Sequence, residues 1–142
     1  MNSLTRPEIT AEAAQRLVAS ALDHARSNGW QIAVAVVDPH GVLAAFGRSD
    51  HVARPSVEFA IDKAYTAATL RKSSQAFGER MASSPTLALG LSTRARLMAW
   101  GGGVAVFEGD ACIAGIGVSG VQDFEDVACA QAVIAAVGLT AG

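Results

Sequence analysis

Arg48-Ser49-Asp50-His51 places a guanidinium, a carboxylate and an imidazole in one short stretch. The guanidinium can hold a carboxylate through paired hydrogen bonds, and the carboxylate or imidazole can move a proton. A plainer use is a polar loop whose Asp50 caps the following helix. A second set, Glu58, Asp62, Lys63 and Thr66, falls on a helical stretch. Glu58 and Asp62 are like charges at i,i+4 spacing, which costs a little on an isolated helix. Lys63, Arg54 or a neighbouring subunit is expected to compensate. For an enzyme, the catalytic candidates are Arg48 as a substrate clamp with Asp50, His51, Glu58 and Lys63.

Three histidines, His24, His40 and His51, form no HxxxH pair, so zinc is not expected. A lone imidazole over an apolar pocket can still ligate haem axially. His24, at the edge of an apolar helix face, and His51 are the candidate haem ligands. Cys112 and Cys129 have no metal or CxxC spacing and read as buried thiols. In Gly117-Val118-Ser119-Gly120, the glycines allow a ligand close to the main chain. The amides that open the next helix could bind an anion there, so Gly117, Ser119 and Gly120 are substrate-binding candidates. Ser119 lacks the GxSxG elbow, and Gly101-Gly102-Gly103 lacks the following Gly-Lys-Ser/Thr of a P-loop.

The elements that must position these groups follow from periodicity. Thr10 caps a helix whose apolar face is Ala14, Leu17, Val18, Ala21, Leu22 and Ala25, ended by Gly29. Gln31 to Val37 and Val42 to Phe46 flank the turn Asp38-Pro39-His40-Gly41 and read as a hairpin. The first strand's apolar run predicts burial on both faces. A helix starts near Arg54-Pro55-Ser56, and a short one lies around Ser73 to Glu79. Ser83 to Thr86 reads as a loop and Ala95 to Ala99 as a strand. Val104 to Phe107, the turn Glu108-Gly109-Asp110 and Ala111 to Val118 form a second hairpin. A last helix spans about Phe124 to Val137. The order α-β-β-α-α-β-β-β-α with short turns predicts an α/β (α+β) domain over residues 1–142: a five-stranded antiparallel sheet with helices on its faces.

The chain has 142 residues, enough for one domain with a real core. No apolar run approaches the ~20 residues of a membrane span. The N-terminus shows no apolar signal region, so a cytoplasmic protein is expected. The net charge of −2, with scattered Arg and Lys, argues against nucleic acid.

Four ordered segments resemble one family. Ile32-Ala-Val-Ala-Val-Val-Asp-Pro-His-Gly-Val-Leu, running on to Arg48 and Asp50, is similar to its "VAVVDxxGxLxxFxRxD" hairpin. Asp62-Lys-Ala-Tyr-Thr-Ala-Ala resembles its "xKAxTA" helix. Gly101-Gly-Gly-Val with Gly115-Ile-Gly-Val-Ser-Gly resembles its glycine-rich hairpin, and an acidic helix start follows. This is the GlcG/HbpS-like family, similar also to the C-terminal domain of PduO-type cobalamin adenosyltransferases. The resemblance implies a profilin-like fold, a homo-oligomer built from dimers, and haem or iron binding in some members. Three readings stay open: a haem- or iron-binding oligomer, an enzyme acting on a small carboxylated catabolic intermediate near Arg48, Asp50 and His51, and a non-catalytic accessory oligomer.

Overall fold

Strand β1, Ala33–Val37, is buried along its whole length and forms the middle of one half of the sheet. A computed structural model describes residues 1–142. In chain order, α1 (Ala11–Asn28) precedes β1; β2 (Leu43–Arg48), α2 (Pro55–Leu70), α3 (Ser74–Ala82) and α4 (Pro85–Leu91) follow it. Then come β3 (Gly103–Glu108), β4 (Ala111–Ser119), α5 (Asp123–Ala136) and β5 (Thr140–Ala141). The strands order β2-β1-β4-β3-β5, every pair antiparallel. No helix is long and apolar enough to cross a membrane.

The two faces of the sheet are built from different side chains because strand residues alternate between them. Ile32, Val34, Val36, Val104, Val106, Ile116 and Val118 join Leu17, Ala21, Val133 and Ile134 of α1 and α5 in the larger core. On the other face Ala33, Ala35 and Val37 meet Ala60, Ala64 and Ala68 of α2. Gly117 and Gly115 continue that small-residue floor, pairing with Gly103 and Ala105. A Cβ on Gly117 would strike the Ala60 carbonyl oxygen, and one on Gly115 the Ala64 carbonyl oxygen. The glycines of the second hairpin therefore let the backbone of α2 lie directly on the sheet, which is why the helix facing them is rich in alanine.

Thr10 accepts from the Ala13 amide at 3.1 Å and Gly29 ends α1 at φ 70°, as their residue types predict. Three expectations fail. Ala95–Ala99 is not a strand; the fifth strand is the short C-terminal Thr140–Ala141. Pro85 begins helix α4, with Ser84 accepting from the Leu87 amide, where a loop was expected. Cys129 is buried, but Cys112 is only half-buried.

The segment from Arg96 to Gly102 lies outside the strands, and side-chain hydroxyls of α2 and α3 take the ladder's place. Thr66 Oγ1 donates to the Arg96 carbonyl (3.1 Å) and accepts from the Met98 amide (2.9 Å). Ser74 Oγ donates to the Trp100 carbonyl (2.7 Å) and accepts from the Gly103 amide (2.9 Å). Ser74→Ala should thus orphan two backbone groups at once and cost about 1–3 kcal/mol, read as a lower urea midpoint with an altered Trp100 emission.

Candidate functional site

Two cavities open near the end of the sheet where β1 begins and β2 and β4 end. Arg48 and Ser119 are both register partners of Ala33, so two strand spacings of roughly 5 Å each separate their backbones. The polar groups that the sequence offered as one constellation divide between these cavities.

The first, about 210 Å³, is lined by Leu22, Arg26 and Trp30 from α1 and its exit, and by Gln31, Arg48, Ser49, Asp50 and His51. The loop after β2 is tied to the start of β1. Ser49 Oγ accepts from the Ile32 amide (3.0 Å), the Ser49 amide donates to the Ile32 carbonyl (2.7 Å), and the His51 amide donates to Gln31 Oε1 (3.0 Å). These three bonds hold Arg48, Asp50 and His51 on one wall, with their side chains exposed. Asp50 does not cap α2, whose N-terminal flank carries no side-chain cap. His24 lies half-buried against Trp30, ring centroids 5.7 Å apart, and does not line the cavity.

The second cavity, about 420 Å³, is lined by Ser56, Phe59, Lys63, Trp100, Ser119, Gly120, Val121, Gln122, Asp123 and Asp126. Its floor is an ion pair. Lys63 Nζ donates to Asp126 Oδ2 (3.1 Å) and to the Val118 carbonyl (3.0 Å), with side chains 1% and 3% exposed. Gly102, at φ +128°, lies so close that a Cβ there would come within 2.6 Å of Lys63 Nζ. Burial pushes the Asp126 carboxyl up to about 6 despite the adjacent ammonium, and lowers Lys63 from its ordinary range despite the carboxylate. Both shifts say that desolvation outweighs the pair's mutual attraction. Strongly perturbed groups in a cleft mark it as a functional candidate. At the mouth, Phe59 and Trp100 meet edge to face, centroids 5.4 Å apart.

Several candidate roles change on this geometry. Lys63 faces Asp126, not Arg48, Asp50 or His51, and Glu58 lines neither cavity and is exposed. The like-charge strain on α2 is relieved through Asp62, which pairs with Arg96 at 3.5 Å. Gly117 is covered by α2 and touches no cavity, while Ser119 and Gly120 do line the second one. Two of the amides near Ser119 are already engaged. Val121 N–H donates to Asp126 Oδ1 (3.4 Å) and Gln122 N–H to Glu125 Oε1 (3.2 Å). The first turn of α5 adds Asp123, Glu125 and Asp126, so this helix start repels an anion. The partner that the sequence reading missed is Asp126; a lysine with a carboxylate far along the chain carries no local signal.

The family model described as "Haem degrading protein HbpS-like" matches residues 9–135. Protein GlcG of Escherichia coli K12 is 29% identical over 115 residues, 81% of this chain and 84% of GlcG. A double mutant of Streptomyces reticuli HbpS superposes with a TM-score of 0.86 at 29% identity, covering 96% of this chain and 91% of that one. A PduOC:haem complex shares the fold, with a TM-score of 0.85 at 24% identity over 93% of this chain and 96% of the other. The profilin-like architecture expected from the sequence is thus the architecture of these neighbours, and the chain belongs to the HbpS-like family of haem degrading proteins.

Proposed function

We propose that this chain binds haem at the His51 cavity and works as a homo-oligomer. The carrying observation is that His51, Arg48, Arg26 and Trp30 open onto one cavity. This donor set suits haem. The His51 imidazole would ligate the iron, the guanidiniums of Arg48 and Arg26 would pair with propionates, and Trp30 with Leu22 would supply apolar contact. Bound haem supplies a redox-active iron; the chain supplies its ligand and its electrostatic surroundings. Bare iron is less well served, since no three His, Cys, Asp or Glu side chains converge. The cavity is smaller than the ~300–1,000 Å³ of typical ligand pockets. One chain would therefore enclose haem only in part, and a second copy would complete the cover. The free edge of β2, which carries Arg48 and exposes Leu43, with exposed Val42 just before it, supports such pairing.

Haemin titration followed at the Soret band tests this reading. Wild type should give a saturable shift, His51→Ala should bind at least tenfold more weakly, and His24→Ala should stay within twofold. A flat wild-type titration, or an unaffected His51→Ala, overturns it. Native mass spectrometry should show an oligomer, and a monomer would remove the shared cover.

The clustering of Arg48, Asp50 and His51 also supports a second reading, an enzyme acting on a small carboxylate by deamination, hydrolysis or proton transfer. Arg48 would hold the carboxylate, and Asp50 or His51 would move the proton. Turnover that survives Arg48→Ala would refute it. An accessory oligomer without chemistry would assemble normally and bind neither haem nor a carboxylate.

A further inference from the structure

The cleft beneath Phe59 and Trp100 holds two hydroxyls that the fold does not use. Ser56 is 7% exposed and Ser119 5% exposed, and both line this cleft. Neither Oγ has a hydrogen-bond partner within the chain, yet neither is sealed from the cleft, since no fully enclosed side-chain oxygen is left unpaired. Buried hydroxyls ordinarily find a partner, because leaving one unmade costs free energy. Two of them facing one space, from the first turn of α2 and the last residue of β4, make a pre-formed pair of contacts for something that enters.

The charge around them selects what enters. Lys63 is the single cation in the lining and its ammonium is already committed to Asp126 and the Val118 carbonyl. Asp123 and Asp126 are both in the lining, so at neutral pH the cleft is net negative. The Val121 and Gln122 amides, which precede α5, are engaged by Asp126 and Glu125. What the cleft leaves free are the Asp123 carboxylate, an acceptor, and the two Ser hydroxyls, which can accept as well as donate. At the entrance stand aromatic side chains, Phe59 38% and Trp100 45% exposed, whose faces attract cations. An ammonium offers three donors and a positive charge to the serine oxygens, the Asp123 carboxylate and the π-faces, whereas a carboxylate would face the negative charge of Asp123.

We propose that this cleft is a binding site for a small organic ammonium ion, its NH₃⁺ held by Ser56, Ser119 and Asp123 and its apolar body lying against Phe59 and Trp100. The site is separate from the His51 cavity, shares no lining residue with it, and does not depend on haem.

Benzylamine and phenylacetate test this directly, because they share a ring and differ in the sign of the head group. Each is titrated into ¹⁵N-labelled wild-type protein at pH 7.5, and the Trp100 indole N–H and the amides of residues 119–126 are followed. Benzylamine should give saturable shifts there, with an affinity at least tenfold above that of phenylacetate. Ser56→Ala and Ser119→Ala should each weaken benzylamine about threefold to tenfold while leaving the remaining amide spectrum in place. Asp123→Asn, an exposed and structurally undemanding change, should weaken it about threefold. Phenylacetate binding as tightly as benzylamine, benzylamine shifts that never saturate, or three variants that bind like wild type would each overturn the proposal. The wild-type comparison of the two probes decides even if a serine variant fails to fold.

Discussion

Gly117→Val is expected to abolish the native fold or to cost it about 4 kcal/mol or more, at the far end of what single substitutions do. Strand propensity alone points the other way, since valine is favoured over glycine in a strand by up to ~1 kcal/mol. Packing decides against it. Even the first carbon of a side chain at 117 would meet the Ala60 carbonyl oxygen and come within 2.6 Å of the Ala64 amide nitrogen. Both are α2 backbone, so no rotamer change relieves the clash, and the helix must lift from the sheet. Lifting it would also draw Lys63 away from Asp126. Gly90→Ala in α4 is the matched control. Nothing lies within 4 Å of its added carbon, and alanine is the better helix former by about 1 kcal/mol. Urea denaturation of the two variants should show one midpoint collapsing and the other holding or rising. A Gly117→Val protein with a near-native midpoint would mean that α2 does not rest on the sheet as described.

The same glycines show how much of this chain its sequence displays. The hairpins were legible because turn residues and β-branched runs are local signals, as were Thr10 and Gly29 at the ends of α1. The glycine row was legible as part of a hairpin, but Gly117 was read as room for a ligand, and the space beside it is filled by the backbone of α2. Ala95–Ala99 misled because only Met98 in it is buried, and Thr66 and Ser74 supply the hydrogen bonds a strand neighbour would. The strand Thr140–Ala141 has too few residues to show a period. For the sites, Arg48, Asp50 and His51 stayed together because they are neighbours in sequence. Lys63 could not be assigned a partner: its carboxylate is 63 residues away, at a helix start where acidic residues are ordinary. Ser56 and Trp100 gave no sequence signal at all. What singles them out is an unpaired hydroxyl and an exposed ring, both properties of the folded surface.

The second large effect concerns that pair. Asp126→Ala should destabilise the protein by about 3–5 kcal/mol, because it strands a buried ammonium with the Val118 carbonyl as its remaining partner. Lys63→Met should cost less, since the Asp126 carboxyl already sits near 6 and can take up a proton. Lys63→Met combined with Asp126→Leu should recover most of the loss, because for both groups burial outweighs attraction. The pH dependence carries the same sign. With its folded value raised from 3.8 to about 6, Asp126 binds its proton more tightly folded than unfolded. Its contribution to stability therefore falls as pH rises from about 4 through 6, and is level above that. Lys63 and Asp123 face it: the first opposes the shift and the second adds to it. The difference in urea midpoint between wild type and Asp126→Asn isolates this group from the other carboxylates, and it should move against wild type across that window. A difference that moves in favour of wild type would mean that Lys63 stabilises the carboxylate by more than burial penalises it. If the expected sign holds, the ion pair is a burden on folding that an apolar pair would relieve. The double variant keeps Ser56, Ser119 and Asp123 and leaves the cleft's net charge unchanged, so it should be a well-folded protein that still binds benzylamine, which separates what this pair does for the fold from what the cleft does for a ligand.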